Sequence, residues 1–243
     1  MMSLCRVLDW DTAFFGARIA RVNAGRVAPD AYPAILDWCA QDRVECLYLL
    51  ADPNDSPTGR GAEENGFHLT DIRVTFERKL DDVAQPLRSM GEESYSRIRL
   101  VQEGDIPALV AIARVSHTDS RFYHDPGFSR ERCDELYGVW LDKSCRGGAS
   151  AVFVAESNHL PVGYITCQVD GDTGSVGLIG LAAEARGAGL GAQLVQQALA
   201  WFGSENMRRV TVVTQGRNAT AQRLYQRAGF LHQSIELWYH RWF

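Results

Sequence analysis

The stretch that decides the fold runs from residue 175 to residue 202 and reads SVGLIGLAAEARGAGLGAQLVQQALAWF. Its first part, residues 176–181, is a short apolar run that predicts a strand. Apolar residues recur at helical spacing over 190–202 and predict a helix. The turn between them is rich in glycine, which lets a backbone approach an anion closely. Strand, glycine turn and helix N-terminus together predict a cradle for a phosphate group.

Three classes of protein could use such a turn. The spacing Gly187-x-Gly189-x-x-Ala192 formally fits a dinucleotide-binding protein, which also needs an acidic residue at the end of the next strand. The predicted strand over 209–215 ends without one. A nucleoside triphosphate loop would need Gly-Lys-Ser/Thr, which is absent here. The third class binds acyl-CoA.

Residues 186–191 match the Arg/Gln-x-x-Gly-x-Gly/Ala pyrophosphate motif of the GNAT acetyltransferases, and the sequence resembles that family. A second block follows at the family's distance: Asn218, a predicted helix with Leu224 and Tyr225, then Gly229-Phe230 and a final strand. The resemblance implies an α/β (α+β) fold, the GNAT acyltransferase fold. In that fold a mixed sheet with splayed central strands is flanked by helices.

A closer likeness involves residues 8–16 (LDWDTAFFG) and 120–125 (SRFYHD), together with Leu136, Tyr137 and Trp140. These segments look like the bacterial TDP-fucosamine acetyltransferase group, which acetylates the 4-amino group of a nucleotide-linked 4-amino-4,6-dideoxy sugar. The resemblance therefore implies a nucleotide-sugar acceptor. The aromatic side chains could instead pack two parts of the chain together.

The length of 243 residues suggests two unequal units. A polar, aperiodic segment with Pro and Gly predicts a linker over 81–96. We therefore expect a smaller N-terminal α/β unit over 1–80 and the GNAT domain over 97–243. An internal echo aligns 65–78 with 228–241 and matches two Gly-Phe pairs, each typical of a helix ended by glycine and followed by a strand. The first unit is then an incomplete GNAT-like half, or the echo is chance.

Local patterns predict further elements. Helices are expected over 29–41 and 129–141, and strands over 46–50 and 97–101. Asp105 stands where the N-cap of another helix is expected. Two strands over 151–155 and 162–170 are joined by residues typical of a hairpin.

Composition excludes several functions. With 46% apolar and 23% charged residues the chain can form a core, and a net charge of −5 argues against a broad basic surface for nucleic acid. No apolar run approaches the roughly 20 residues of a membrane helix, so no membrane partner is expected. Six scattered cysteines without zinc spacing predict reduced cytoplasmic thiols and no metal site. The oligomeric state stays open, a homodimer included.

The resemblance also implies roles around acetyl-CoA, the expected acyl donor. The backbone N–H of Leu181 would face the thioester oxygen. The pyrophosphate would lie on residues 186–192, namely Arg186, Gly187, Ala188, Gly189, Leu190, Gly191 and Ala192. Asn218 would lie near the cofactor arm, or cap a helix. Tyr225 would protonate the departing thiolate, or be a packed helix aromatic.

The general base is less evident, because residues 175–181 contain no carboxylate. Asp71 is the first candidate, since it begins a predicted strand that could line the acceptor side. It would take the proton of the amine through water or bind the amine; the alternative is an ordinary strand-end acid. His117, Asp119 and His124 are rivals.

Four residues are candidates for binding the acceptor: Arg121, Tyr123, His124 and Phe15. An arginine can hold a diphosphate by bidentate hydrogen bonds. Arg121 could equally be a surface residue or an ion-pair partner.

These observations lead to one function hypothesis and two alternatives. The hypothesis is an acetyl-CoA-dependent N-acetyltransferase that acetylates a nucleotide-linked amino sugar by direct attack, without an acyl-enzyme. One alternative is a GNAT enzyme that acetylates a protein N-terminus, a lysine or a small-metabolite amine. The other is a non-catalytic sensor that binds acyl-CoA.

Overall fold

The structure is a computed structural model that describes residues 4–80 and 96–243. Ten strands lie in these ranges: β1 (Cys5–Val7), β2 (Ile19–Val22), β3 (Cys46–Ala51), β4 (His68–Lys79), β5 (Ser96–Leu100), β6 (Ala151–Ser157), β7 (Leu160–Asp170), β8 (Thr173–Leu181), β9 (Arg209–Gln215) and β10 (Leu231–Trp242). Seven α-helices accompany them: α1 (Asp9–Phe15), α2 (Tyr32–Gln41), α3 (Ser56–Glu64), α4 (Ile106–Ser116), α5 (Arg130–Lys143), α6 (Leu190–Ser204) and α7 (Ala219–Arg227). None of these helices is long and apolar enough to span a bilayer.

All ten strands form one mixed sheet, in the order β1-β2-β3-β10-β4-β9-β8-β7-β6-β5. The pairs β2–β3 and β8–β9 are parallel. The other neighbours are antiparallel. The expected mixed sheet flanked by helices is therefore confirmed.

In the middle of the sheet, strands from the early and late parts of the chain alternate. The last strand, β10, lies between β3 and β4, and β4 in turn lies between β10 and β9. The division into units 1–80 and 97–243 stays a prediction, and the sheet runs across it. Most of the predicted linker, residues 81–95, lies outside the described residues.

The internal similarity between residues 65–78 and 228–241 corresponds to a repeated structural motif. After α3 and after α7 the chain turns at a glycine with positive φ, Gly66 (φ 76°) and Gly229 (φ 82°). The next residue, Phe67 or Phe230, is buried and donates its N–H back into the preceding helix. The two strands that follow, β4 and β10, are antiparallel neighbours. The repeat therefore brings its own two copies together at the middle of the sheet.

Three apolar clusters form the core of the part of the chain that the structure describes. The first packs α6 and Tyr225 of α7 against β4 and β6 to β9. The second packs α2 and α3 against β2 and β3. The third packs α4 and α5 against strands from both parts of the chain. All six cysteines lie within the described residues, where none forms a disulfide and five are buried.

The predicted helices and strands are confirmed, with two local corrections. Asp105 holds the N-cap position of α4, but its side chain accepts hydrogen bonds from Arg99 and the Gln102 N–H instead of capping the helix. The hairpin connection is shorter than expected. Asn158 and His159 both have positive φ, so a two-residue turn joins β6 to β7.

Candidate active site

A wedge opens between β8 and β9. The two strands pair in parallel only over Thr173–Val176 and Arg209–Val212. Beyond that point β8 continues to Leu181 beside β7, and β9 continues to Gln215 beside β4. The expected splay is thus present. Among the residues that the structure describes, no strand pairs with the backbone groups of β8 that face the wedge, and these groups suit an amide-bearing ligand that adds like a strand.

A bulge between β7 and β8 accompanies the wedge. The register shifts between Ile165 and Cys167, and the Leu178 N–H donates to Thr166 Oγ1 over 2.8 Å. A Cβ atom at Gly177 would lie 2.8 Å from the same oxygen, so this position requires glycine. The bulge bends β8 where it leaves β9.

The glycine turn follows the end of β8. Gly187 (φ 83°) and Gly189 (φ 80°) have left-handed backbones, and a Cβ atom at either position would meet nothing within 4 Å. Conformation, not space, therefore requires glycine here. Gly189 is the N-cap of α6 and has no side chain to bond the first N–H groups of the helix. These groups and the helix dipole provide an anion site next to the wedge.

The predicted donor-site residues come together around this turn. A Cβ atom at Gly191 would lie 3.6 Å from Leu224 of α7 and 3.7 Å from Leu181, so the turn touches both β8 and α7. The Arg186 side chain is exposed, and its Nε donates to the Leu181 carbonyl over 3.4 Å. Asn218 caps α7 through the Ala221 N–H, which is the alternative reading of that residue. Its amide NH2 group is not used by this cap.

Tyr225 lies on α7, just beyond the end of β9. It is buried, and its ring packs near Phe76 and Phe230 at centroid distances of 6.1 and 6.0 Å. Burial raises the pKa of its phenol well above the usual value. The phenol therefore keeps its proton at neutral pH, as a proton donor must.

Asp71 lies at the same end of the central strands as Tyr225. Because β4 runs antiparallel to β9, the start of β4 lies where β9 ends. A bulge in the β4–β10 ladder leaves Thr70 without a residue opposite it on β10, and both Thr70 and Asp71 are buried. The Ile72 N–H donates to Asp71 Oδ1 over 2.8 Å, and Arg217 Nε lies 3.9 Å from the same oxygen.

Burial raises the pKa of the Asp71 carboxyl to about 6, although the Ile72 N–H and Arg217 oppose the shift. Asp119 raises this pKa further, which places its charge near Asp71. A carboxylate with a pKa near the working pH is suited to general base catalysis.

The two rival histidines differ from each other. His117 Nε2 lies 2.8 Å from the Tyr164 hydroxyl, its ring stacks on Tyr137, and burial lowers its pKa to about 4. His124 is largely exposed, and its partial desolvation together with the Arg217 charge lowers its pKa. Both imidazoles are therefore mainly neutral at pH 7.

The predicted acceptor residues divide into two groups. Arg121 lies over the rings of Tyr48, Phe122 and Trp238, at 4.1 to 4.4 Å from their centroids. Trp238 is paired with Asp71 across the β4–β10 ladder, so Arg121 lies on the same face of the sheet as Asp71. The other group is used in packing. The Tyr123 hydroxyl donates to Asp134 over 2.6 Å, and Phe15 packs on Phe122 and Phe128.

Sequence reasoning missed a buried pair behind Arg121. His240 Nδ1 donates to Asp125 Oδ2 over 2.5 Å, and Trp242 Nε1 also donates to Asp125. Cys46 offers a third potential metal ligand within 4.8 Å of both. Arg121, however, lies 3.1 Å from His240 Nε2. A cation in this position favours a hydrogen-bonded chain over a metal centre.

Comparison with known proteins agrees with this geometry. Residues 112–230 match the Acetyltransferase (GNAT) family. A dTDP-fucosamine acetyltransferase of Escherichia coli O6:H1 is 27% identical over 239 residues, which cover 96% of each chain. The spore coat polysaccharide biosynthesis protein SpsD of Bacillus subtilis is 30% identical over 141 residues, or 58% of this chain and 49% of that protein.

Solved structures share the fold. A GCN5-related N-acetyltransferase from Sphaerobacter thermophilus covers 98% of this chain and 76% of its own, with a TM-score of 0.72 and 17% identity. A GCN5-related N-acetyltransferase from Kribbella flavida covers 92% of this chain and 81% of its own, with a TM-score of 0.59 and 15% identity. At these identities the likeness concerns the fold alone.

Proposed function

Because this chain carries an acetyltransferase domain of the GNAT family, we propose that it transfers the acetyl group of acetyl-CoA to the amino group of a nucleotide-linked amino-deoxy sugar. The observation that carries the proposal is the position of Asp71. Its buried carboxyl lies at the end of the central strands where the β8–β9 wedge opens. In this proposal acetyl-CoA, the donor, binds in the wedge, and the amino sugar, the acceptor, binds next to Asp71.

The donor side fits a long thioester with a diphosphate. Within the described residues, the wedge-facing backbone groups of β8 beyond Val176 have no strand partner and can bind the amide groups of the pantetheine arm. The turn over 186–192 offers N–H groups and the Arg186 cation to the pyrophosphate. Bound there, acetyl-CoA supplies an acetyl group activated as a thioester.

The acceptor amine must be neutral when its nitrogen forms the new bond to the acetyl carbon. Asp71, ionised above its pKa of about 6, takes the proton that the nitrogen releases, directly or through water. Arg217 lies beside the carboxylate and donates to the Thr70 carbonyl over 2.7 Å, which holds the bulge in place.

Two further groups are needed: one that stabilises the negative charge on the carbonyl oxygen, and one that protonates the departing thiolate. The Leu181 N–H stabilises the negative charge that develops on the carbonyl oxygen. As the carbon–sulfur bond breaks, the Tyr225 phenol gives its proton to the thiolate. A positioned acid of this kind contributes about 100-fold to 10,000-fold in rate.

The sugar acceptor is supported by the relatives. One that aligns along 96% of this chain is named a dTDP-fucosamine acetyltransferase, and the other is named a spore coat polysaccharide biosynthesis protein. Alignment over the whole length includes the N-terminal strands, and β4 carries Asp71. We therefore assign the N-terminal part to the acceptor.

A direct assay tests the proposal. Purified protein is mixed with acetyl-CoA and TDP-linked 4-amino-4,6-dideoxy sugars, and free thiol is measured. We expect thiol release that depends on the amino sugar. Release with a peptide or polyamine and with none of the nucleotide sugars would contradict the acceptor assignment.

A further inference from the structure

Among the described residues, three arginines lie around Trp238 and Glu236 on the sheet face that carries Asp71: Arg21 of β2, Arg73 of β4 and Arg121 of the turn before α5. We call them the arginine cluster. The guanidinium of Arg121 lies 4.1 Å from the Trp238 ring centroid, and that of Arg21 lies 5.3 Å from the same centroid. Arg73 is paired with Glu236. The cluster therefore surrounds Trp238 and Glu236 of β10.

Arg121 is held in place by a chain of buried groups. Hydrogen bonds from His240, Trp242 and the Gly127 N–H outweigh burial and keep the pKa of Asp125 below its usual value. Burial lowers the pKa of His240 to about 4, so its ring is neutral. With Nδ1–H donated to Asp125, Nε2 accepts from Arg121 over 3.1 Å. The guanidinium is thus fixed without being neutralised.

The cluster carries excess positive charge. Within residues 4–80 and 96–243, neither Arg21 nor Arg121 forms an ion pair with a carboxylate. The carboxylate of Glu236 is engaged by Arg73. Burial and the charges of Arg6, Arg121 and Arg73 lower the pKa of Arg21, although Glu236 opposes the shift, so like charges predominate around this residue. An anionic ligand would relieve this repulsion.

The cluster is continuous with the candidate base. Trp238 pairs with Asp71 across the β4–β10 ladder, and Glu236 pairs with Arg73. From β4 to β2 the sheet order crosses β10 and β3, so three strand spacings separate them, about 14 Å in all. A ligand with its amine at Asp71 can therefore extend along the sheet face over Trp238 toward Arg21.

We propose that the arginine cluster binds the diphosphate of a nucleoside diphosphate sugar, with Arg121 and Arg21 as its main ligands. This inference rests on the proposed function and adds the residues that select the acceptor. Arginine is suited to the task because its planar fork binds phosphate oxygens bidentately.

Calorimetry on the full chain with thymidine diphosphate as the probe tests the inference. Wild-type protein is expected to bind the probe and to bind thymidine without phosphates far more weakly. Arg21→Gln is expected to weaken probe binding about tenfold or more, since it removes a charged hydrogen bond. The matched control is Arg146→Gln, which removes a surface arginine paired with Glu103 and Asp142 and is expected to leave binding unchanged.

Acetyl-CoA distinguishes the two possible sources of phosphate. If the cluster serves the acceptor, Arg21→Gln retains wild-type affinity for acetyl-CoA and raises the KM for a nucleotide amino sugar, with kcat retained. Arg121→Gln should weaken probe binding in the same way. If Arg121→Gln does not fold, the result for Arg21→Gln decides the question.

The outcomes separate this inference from the proposed function. Absence of probe binding to wild-type protein, or equal binding by wild type and Arg21→Gln, would overturn the inference. A loss of acetyl-CoA affinity in Arg21→Gln would also overturn it. Probe binding that needs Arg21, without acetyl transfer to any nucleotide sugar, would support the cluster and refute the proposed reaction.

Discussion

Asp71 and Trp238 are paired directly across the β4–β10 ladder, although they come from the early and late parts of the chain. This pair joins the candidate base to the arginine cluster. The Thr70 hydroxyl donates to the Trp238 carbonyl over 3.0 Å and secures the bulge that buries Asp71. The acceptor side therefore exists only when both strands are in place.

Asp71→Asn should lower kcat/KM strongly and abolish the acidic limb of its pH profile. A base must be ionised to accept a proton, so wild-type activity should fall as pH drops through about 6. We expect a loss of about 100-fold or more at pH 8. The measurement is kcat/KM from pH 5 to pH 9 for both proteins, and an unchanged profile in the variant would remove Asp71 from catalysis.

The same substitution should stabilise the protein at high pH. The folded-state pKa of Asp71 is raised from 3.8 to about 6, so stability is lost as pH rises through that interval. Above pH 6 the buried charge costs up to about 3 kcal/mol. Thermal unfolding of Asp71→Asn should show a gain over wild type at pH 8 that vanishes near pH 4. A residue held only as an ion-pair partner of Arg217 would give the opposite sign.

Tyr225→Phe should lower kcat at least about 100-fold and leave the Kd for acetyl-CoA within about twofold. The ring contacts with Phe76 and Phe230 remain in the variant, so its stability should hardly change. Stopped-flow thiol release and calorimetry measure the two quantities. Unchanged turnover would make Tyr225 a packed helix aromatic.

Gly189→Ala should weaken acetyl-CoA binding because it forces alanine into a left-handed conformation, at a cost of about 1 to 3 kcal/mol. The matched control is Gly203→Ala, near the end of the same helix α6. A Cβ atom there meets nothing within 4 Å and φ is ordinary, so that variant should bind as wild type and be slightly more stable. Equal acetyl-CoA binding by both variants would show that the turn does not bind the cofactor.

Residues 97–243 alone should not fold into a stable domain. Without β4, strands β9 and β10 lose the partner that separates them, and the buried Val74 and Phe76 leave the first apolar cluster. Loss of one buried phenylalanine side chain alone costs about 3 to 5 kcal/mol. The control is the full chain with a protease site within residues 81–95, whose two fragments should stay associated after cleavage. A soluble, cooperatively unfolding 97–243 fragment would contradict this expectation.

Local elements could be predicted because their signals are local. The glycine turn before α6 and the two helix-glycine-phenylalanine corners are short patterns with specific backbone requirements, and the structure confirms both. The wedge was implied by family resemblance, and the register of β8 and β9 confirms it.

Strand neighbours could not be predicted, because alternation along a strand identifies its buried face and not its partner. The insertion of β10 between β3 and β4 is set by contacts far apart in sequence. For the same reason the Asp125–His240 pair escaped detection. Each residue alone is unremarkable in sequence, and only β10 brings His240 beside Asp125 and Arg121.

The central claim is acetyl transfer to a nucleotide-linked amino sugar, with Asp71 as the base. Its most direct test is thiol release from acetyl-CoA in the presence of a TDP-4-amino-4,6-dideoxy sugar, with the product identified by mass spectrometry. We expect one thiol released for each acetyl group gained by the sugar nucleotide, and little release by Asp71→Asn. An unmodified sugar nucleotide, with a peptide or other amine acetylated in its place, would contradict it.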